Sequence, residues 1–219
     1  MNPDSFLLIL SGAATTLDIA ARSIVCSLVI AVVVGTATAL GGSLVRFLLT
    51  VYVELFRGTS LVVQLFWMYF VLPQFGIVLS EHTVAVTAIS LNYGAYGAVI
   101  VRGAIVAIDK SQWEAASSLG LRRLPTLRYV VFPQASVFLI KPLGVLFVQL
   151  VKATSLVSLI TIPDLTYRAY QLNQLSMQIV PIFGTVLIIY YLMTKLVAGS
   201  SSLLDGYLGT WRRPGAVKP

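Results

Sequence analysis

Residues 113–133 read WEAASSLGLRRLPTLRYVVFP, which is the longest polar and basic interruption in an otherwise apolar chain. Just before and inside it, Ser111 and Glu114 have the spacing of a capping box, in which the serine hydroxyl accepts from the backbone amide three residues later. A helix that begins there would run through Leu119, and Gly120 stands where a left-handed C-terminal cap is expected. About eight residues at 1.5 Å each predict a helix roughly 12 Å long.

Two alanines and two prolines complete this stretch. Ala115 and Ala116 leave one flank of the short helix without bulk, so another protein surface could approach it closely. Pro125 suits the first turn of a second helix, and Pro133 opens the next element. The stretch therefore predicts two short helices joined by a turn, with a docking flank on the first.

The composition of the whole chain indicates a membrane protein. Of its 219 residues, 58% are hydrophobic and 11% are charged, and the mean hydropathy is +0.90. Soluble domains carry about 25% charged residues, so we expect an all-α integral membrane protein. A single cysteine, Cys26, and a single histidine, His82, exclude a disulfide framework and a Cys/His metal cluster, and no metal site is expected. Cys26 lies in an apolar run and is expected to be a small core residue.

Five largely uncharged segments are long enough to cross the hydrocarbon of a bilayer as helices. The third of them is rich in small residues, among them Gly94 and Gly97, which lets helix backbones approach closely in lipid. Residues 152–178 are polar and expected to be irregular, with a turn at Pro163 and Asp164. Their apolar part is too short to span and is expected at the membrane surface or as a re-entrant piece. The predicted spans are about 19–41, 58–80, 83–102, 134–151 and 179–198, within a single domain 1–200. It is followed by a polar, basic tail, 201–219, that is expected to be loosely ordered.

The distribution of basic residues predicts the orientation. With five spans the termini lie on opposite sides, and an external N-terminus places 11 of the 15 basic residues in the cytoplasm. The positive-inside rule therefore predicts an external N-terminus, a cytoplasmic C-terminus and a cytoplasmic loop 103–133. Topology thus explains the positive charge, and no nucleic-acid partner is expected. The cytoplasmic set is Arg46, Arg57, Arg102, Lys110, Arg122, Arg123, Arg128, Lys195, Arg212, Arg213 and Lys218.

The central stretch also resembles a known family. The spacing of Glu114, Ala115, Ala116 and Gly120, followed by residues 130–133, is similar to the EAA loop of ABC importer permeases. The resemblance implies that these four residues form a coupling helix that docks on a cytoplasmic ATPase. For Glu114 the alternative is a capping role alone, without contact to a partner.

Further motifs narrow the resemblance to the permeases of polar amino acids. Residues 54–66, ELFRGTSLVVQLF, are similar to the E-x-F-R-G-T-P-x-x-V-Q-L-F signature of that subfamily. NYGAY at 92–96 and VRGAI at 101–105 match its third helix, VVFPQA at 130–135 matches I-L-P-Q-A, and KATSLVSL at 152–159 is similar to K-D-T-S-L-V-S-L. The ectoine and hydroxyectoine permeases form a related branch.

This resemblance implies a MetI-like, type I importer fold in a bacterial cytoplasmic (inner) membrane. The implied partners are a second permease subunit, identical or different, two ABC ATPase subunits and a solute-binding protein. ATP and Mg²⁺ would be bound by the ATPase, because this sequence contains no G-x-x-x-x-G-K-[ST] phosphate loop. The chain itself is thus expected to hold no cofactor and to be no enzyme.

Other functions remain open at this point. A secondary transporter or channel subunit is the main alternative, although such a proton-coupled protein would be expected to bury acidic groups in its spans. A structural or assembly membrane protein is another alternative. Within the family, polar amino acids are the default substrate, and a compatible solute such as ectoine is the alternative.

Polar groups on the apolar helices are candidates for the translocation path, and each could equally serve as a hydrogen bond between helices. The chain also departs from the subfamily, which usually has an acid at Val99, a proline at Lys141, an asparagine at Val145 and an aspartate at Ala153. Lys141 could reach back to the interface or could line the path and favour an anionic or zwitterionic solute. The candidates are Gln64, Asn92, Tyr96, Lys141, Thr154 and Ser155.

Overall fold

The computed structural model describes residues 3–209, and the side chains of residues 5–206. This part of the chain is helical and contains no strand, which confirms the predicted all-α class. Arg212, Arg213 and Lys218 of the predicted tail lie outside the described residues. The helices are α1 (Pro3–Leu40), α2 (Ser43–Gly58), α3 (Leu61–Phe66), α4 (Glu81–Val106), α5 (Lys110–Ser118), α6 (Arg123–Thr126), α7 (Phe132–Ala153), α8 (Leu165–Ser176) and α9 (Ile179–Gly209).

Four helical segments of the described chain are long and apolar enough to cross a membrane, and a bent pair of helices makes a fifth. In the bent pair, the direction of the chain changes by 102° between α2 and the helical segment that follows it. The described chain thus has four candidate spans, or the predicted five if the bent pair crosses as one span. The four single segments are Ser5–Leu40, Glu81–Val106, Arg123–Ile160 and Ile179–Gly206, and the bent pair is Ser43–Gly58 with Leu61–Phe75.

The predicted second span, 58–80, is not one helix. Its helical part begins at Leu61, passes through a π-helical turn (Trp67–Val71) and a 3₁₀ turn (Leu72–Phe75), and ends at Gly76 with φ +80°. The apolar run continues to Ser80 without a charge, but glycine at 76 permits the left-handed backbone that stops the helix. Hydrophobicity alone therefore overestimated the length of this span.

Three other sequence expectations need correction. Helix α1 begins at Pro3, well before the predicted start at 19, and α9 continues to Gly209, so part of the predicted loose tail is helical. The segment 152–178 is also more regular than expected, because it contains a 3₁₀ helix (Thr154–Ile160) and α8. Finally, Cys26 is exposed on α1 and is not a core residue.

Helices α1 and α4 form the most extensive contact of the bundle, and small residues make it possible. A Cβ atom added at Gly97 would lie 2.6 Å from the Cβ of Ala31, and one added at Gly94 would lie 2.6 Å from Cγ2 of Ile30. On the α1 side, a Cβ at Gly35 would lie 2.7 Å from Cβ of Val101. The predicted role of small residues in the third span is confirmed.

The two ends of α1 contact different parts of the chain. Near its start, the Thr16 hydroxyl accepts from the backbone amide of Leu165 at the beginning of α8, at 3.1 Å. Near its end, Leu40 lines a cavity together with Trp113 of α5. With a rise of 1.5 Å per residue, Thr16 and Leu40 are about 36 Å apart along the helix. Helices α5 and α8 therefore lie at opposite ends of the bundle.

Candidate functional site

Helix α5 begins two residues earlier than its sequence predicts. Its N-cap is Asp109, whose Oδ1 accepts from the backbone amide of Ser111 at 3.0 Å. The predicted capping box between Ser111 and Glu114 is therefore wrong, because Ser111 already lies inside the helix. An aspartate is as good an N-cap as a serine, and its negative charge also suits the positive end of the helix dipole. The nine residues of α5 give a length of about 14 Å.

The C-terminal end of α5 follows the prediction. Gly120 adopts φ +77°, in the left-handed region that favours glycine. Its amide donates to the carbonyl of Ser117 at 2.9 Å, and the amide of Leu121 donates to the carbonyl of Ala116 at 3.1 Å. These two bonds form a Schellman motif, which ends the helix sharply and turns the chain toward α6.

One face of α5 is anchored to the rest of the chain. Nε2 of Gln134, at the start of α7, donates to Oε1 of Gln112 at 3.2 Å. Trp113 packs against the buried cluster that contains Val131 and Ala135, and Ala116 is only 3% exposed. Because α5 is held to α7 by both polar and apolar contacts, a displacement of α5 would be passed on to α7.

The opposite face of α5 is free of internal contacts. Glu114 and Ala115 are exposed. Within residues 5–206, no side chain forms a hydrogen bond or an ion pair with the Glu114 carboxylate. Only Ala115 of the two alanines is available to a partner, because Ala116 is buried against its own chain. Within this chain alone, Glu114 and Ala115 are the exposed members of the predicted docking flank, whereas Ala116 is buried.

Three of the six predicted path residues meet at the bend between α2 and α3. Nε2 of Gln64 donates to the carbonyl of Phe56 at 3.0 Å and to Oγ1 of Thr59 at 2.7 Å. Nδ2 of Asn92 donates to the same carbonyl of Phe56 at 2.8 Å and to Oε1 of Gln64 at 3.2 Å. The hydroxyl of Tyr96 donates to the next carbonyl, that of Arg57, at 3.3 Å.

These contacts have a clear physical reason. The last carbonyls of a helix have no partner within the helix, and in lipid no water can satisfy them. Gln64 and Asn92, which are 9% and 5% exposed, supply the missing donors where α2 ends. Arg57 lies above the Tyr96 ring, with its Cζ 5.1 Å from the ring centroid. The polar groups of the bend therefore fix the 102° angle and tie it to α4.

Lys141 lies apart from the bend. Its Nζ is 3.6 Å from Oδ2 of Asp205 on α9, and the two side chains are 69% and 22% exposed. Lys141 and Asp205 line a cavity beside α9. Val145, another departure from the subfamily, lines it too. The structure thus gives Lys141 a partner that the sequence analysis did not identify, because Asp205 had been placed in the tail.

Thr154 and Ser155 lie where α7 continues into the 3₁₀ helix, at the end of the bundle that contains α8. Thr154 is fully buried, and its Oγ1 donates to the carbonyl of Val151 at 2.7 Å. Ser155 donates to the carbonyl of Lys152 at 2.9 Å. The six candidates are therefore distributed over three places and do not form one site.

A buried acid near Thr154 was missed at the sequence level, where Asp164 was read only as a turn residue. Asp164 is fully buried, and its Oδ1 accepts from the amide of Tyr167 at 2.8 Å as the N-cap of α8. The hydroxyls of Thr166 and Tyr190 also face this carboxyl. Burial raises the pKa of Asp164 to about 6, and hydrogen bonds from Tyr167 and Thr166 partly oppose this shift.

Comparison with known proteins gives the family. A family model described as "Binding-protein-dependent transport system inner membrane component" matches residues 27–205. A probable amino-acid ABC transporter permease protein of Sinorhizobium fredii (y4tF) is 41% identical over 74% of this chain and 70% of its own length. The L-cystine transport system permease protein TcyB of Bacillus subtilis is 35% identical over 89% and 84%. The glutamine transport system permease protein GlnP of Escherichia coli is 34% identical over 87% and 88%.

Solved structures agree in fold. A crystal structure of an amino acid ABC transporter with histidines matches with a TM-score of 0.83 and 30% identity, over 92% of this chain and 94% of its own. The inward-facing MetNI methionine ABC transporter matches with the same TM-score, 0.83, at 19% identity, over 95% and 99% of the two chains. The predicted MetI-like fold is confirmed.

The relatives are membrane transport subunits and not enzymes, as the missing phosphate loop had predicted. With several apolar helices, the chain is a multi-pass protein of the inner membrane. ABC importer permeases act with an ATPase and a solute-binding protein, so partners of these two kinds are implied. The chain therefore belongs to the family of binding-protein-dependent transport system inner membrane components, the permeases of ABC importers.

Proposed function

We propose that this chain is the membrane permease of an ATP-driven importer for polar amino acids or related small zwitterionic solutes, and that α5 couples it to the ATPase. The observation that carries the coupling proposal is the two-faced build of α5. Its inner face is fixed to α7 through Gln112 and Trp113, and its outer face presents Glu114 without a partner among the described residues. Such a helix can receive a force on one side and transmit it on the other.

The orientation is part of this proposal. The basic residues at the α5 end of the bundle would place that end in the cytoplasm, where the ATPase is. The α8 end, about 36 Å away along α1, would face the solute-binding protein. ATP-driven closure of the ATPase pair would displace α5 and, through α7, open the bundle toward the α8 end.

The solute class rests on the relatives. The cystine and glutamine permeases, and the solved amino acid transporter, favour a polar amino acid as the substrate. A compatible solute such as ectoine remains the alternative, because the solute-binding protein makes the first selection. Two permease subunits side by side and two ATPase subunits complete the proposed assembly, with ATP and Mg²⁺ bound by the ATPases.

Exposure separates the candidate path residues into two groups. Gln64, Asn92 and Thr154 are buried and bonded within the chain, which supports a role in holding the helices. Tyr96, Lys141 and Ser155 are at least partly exposed and would be free to meet a solute or a second permease subunit. Because Lys141 replaces the usual proline, we further propose that this chain works beside a partner permease that keeps the more typical residues.

The test is a pull-down of the tagged chain from its own host in mild detergent, with co-purifying chains identified by mass. We expect an ABC ATPase, and a second type of permease if the assembly is a heterodimer. Glu114→Lys should remove the ATPase, whereas Glu114→Gln, which keeps the size of the side chain, should retain more of it. If no ATPase appears while the membrane complex stays intact, or if Glu114→Lys leaves it bound, the coupling proposal fails.

A further inference from the structure

A basic cavity lies beside α5, on the side away from Glu114. Its volume is about 520 Å³, it is open on one side, and it is lined by the end of α1, the start of α2, the end of α4, and helices α5 and α6. Three cations line it, Arg46, Lys110 and Arg123, together with Trp113. These residues come from three different helices, α2, α5 and α6, so the cavity exists only in the folded bundle.

The charge around the cavity is unbalanced. No acidic residue lines it. In the part of the chain with described side chains, Arg46, Lys110 and Arg123 form neither an ion pair nor a side-chain hydrogen bond. Helix α2 begins next to the cavity with Gly42 as its N-cap, no side chain caps its first amides, and its first turn contains no acid. Cations and free amides together attract an anion with several acceptor oxygens.

The cavity also lies at the edge of the apolar layer. One candidate span ends at Leu40 and another at Val106, both of which line the cavity, and a third begins at Arg123. Trp113 adds an indole ring, which is enriched at membrane–water interfaces. The wall of the cavity therefore changes from charged to apolar where acyl chains would begin.

We propose that this cavity binds a phosphate group, presented by an anionic phospholipid at the membrane surface. Phosphate oxygens would accept from Arg46, Lys110 and Arg123, and the apolar wall near Leu40 and Val106 would contact the upper part of an acyl chain. Basic pockets between membrane helices bind lipid headgroups of this kind. This lipid site goes beyond the proposed import function and does not depend on the identity of the solute.

Trp113 provides a local probe for the test. In a Trp67→Phe, Trp211→Phe background it is the sole tryptophan of the full chain, because the sequence contains three. The chain is reconstituted in phosphatidylcholine vesicles with increasing amounts of phosphatidylglycerol, and either lipid carries brominated acyl chains that quench tryptophan on contact. We expect brominated phosphatidylglycerol to quench Trp113 more strongly than its share of the lipid predicts.

Variants at the three cations distinguish a specific lipid site from general electrostatic attraction between anionic lipids and the basic surface of the protein. Each single change to Gln at Arg46, Lys110 or Arg123 should lower the preference for phosphatidylglycerol roughly fivefold, and the triple change should abolish it. Arg46→Lys with Arg123→Lys should keep most of the preference, which shows that the fold tolerates substitution there. The matched control, Arg102→Gln with Arg128→Gln and Lys195→Gln, removes the same charge elsewhere and should leave the preference unchanged.

A second arm identifies the source of the phosphate. If millimolar inorganic phosphate shifts the Trp113 emission in pure phosphatidylcholine, and the triple Gln change abolishes that shift, the site recognises phosphate without needing a lipid. If brominated phosphatidylglycerol then shows no preferential quenching, the phosphate site stands and the lipid source is excluded; if it does, the lipid remains the source. Equal loss of preference in the triple variant and the control, or no response to either probe, would overturn the proposal.

Discussion

The bend between α2 and α3 and the short helix α5 use polar side chains in opposite ways. At the bend, the amides of Gln64 and Asn92 both donate to the carbonyl of Phe56, and both side chains are buried. On α5, the carboxylate of Glu114 is exposed and has no partner within residues 5–206. At the bend, the polar side chains form hydrogen bonds within the chain. On α5, the charged side chain is exposed to the surroundings.

This difference separates two causes of an unusual polar residue in a membrane protein. In lipid, a broken helix needs side-chain donors for its carbonyls, so Gln64 and Asn92 are explained by the fold alone. The Glu114 carboxylate bonds to no side chain among the described residues, and the proposed contact with the ATPase accounts for its place on α5. Substitutions at the bend should therefore change stability first, and substitutions on α5 should change function first.

The largest effect is expected at Glu114. In the reconstituted importer, Glu114→Lys should reduce solute uptake by at least about tenfold, because reversing an interfacial charge leaves two like charges facing each other. Thermal stability of the chain in detergent should change by less than about 0.5 kcal/mol, as for other surface substitutions. Uptake and unfolding are measured on the same preparation. A large loss of stability would show that Glu114 supports the fold, which would remove the contrast with the bend.

A pH effect is expected at the other buried polar site, Asp164. Because the folded-state pKa, about 6, lies above the ordinary value of 3.8, the folded chain binds this proton more tightly than the unfolded chain does. The stabilisation is fully present below about pH 4 and is lost as the pH rises through about 6. A shift of about two units corresponds to an effect on the order of 3 kcal/mol.

The measurement for Asp164 is thermal unfolding between pH 4 and pH 8, with Asp164→Asn as the control. Asparagine keeps the N-cap of α8 and cannot titrate, so its stability should vary less over this range. The other groups near Asp164 are Arg168 and Thr166 on α8 and Tyr190 on α9. Identical pH profiles for the two proteins would contradict the assignment.

At the bend, Asn92→Leu should destabilise the chain by about 1–3 kcal/mol, because it removes a donor from the partly buried carbonyl of Phe56 and leaves Oε1 of Gln64 without its amide partner. Tyr96→Phe is the matched comparison at the same bend, since it removes one longer bond, 3.3 Å, from a more exposed side chain. Its cost should stay below about 1 kcal/mol. Denaturation in detergent gives both values. Equal effects, or a loss of ATPase binding without a loss of stability, would assign Asn92 a functional role.

The smallest effects concern packing between α1 and α4. Gly97→Ala should cost about 1–3 kcal/mol, because the added methyl group would lie 2.6 Å from the Cβ of Ala31 on α1. Gly103→Ala on the same helix is the control, since nothing lies within 4 Å of a Cβ added there. The control should be neutral or slightly stabilising, as alanine favours helix. If both changes cost the same, the contact is looser than described.

Much of this architecture follows from local sequence rules. The number of spans follows from hydrophobic length, the α1–α4 contact from small residues, and the end of α5 from Gly120. These rules do not predict the 102° bend. An uncharged run is long enough for one span whether or not its helix is continuous, so hydrophobic length cannot detect the break. The start of α5 was misplaced because Asp109 and Ser111 are both good caps, and only the fold selects between them.

The sequence also does not predict which side chains that are distant along the chain come into contact. Lys141 and Asp205 meet only because α7 and α9 pack together, and the interpretation of 201–219 as a loose tail concealed the acid. The burial of Asp164 depends likewise on α1 and α9 covering the start of α8. Long-range contacts of this kind leave no local pattern, whereas caps, glycines and apolar runs do.

The docking of α5 on the ATPase is tested most directly by cross-linking. In a Cys26→Ser background, which removes the chain's natural cysteine, Ala115→Cys places a single thiol on the exposed face of α5. Tyr170→Cys places a control thiol on exposed α8 at the opposite end of the bundle. After treatment with a short bifunctional maleimide, we expect the ATPase to be cross-linked from position 115 and not from 170. An ATPase cross-linked equally from both positions, or only from 170, would contradict the coupling role of α5.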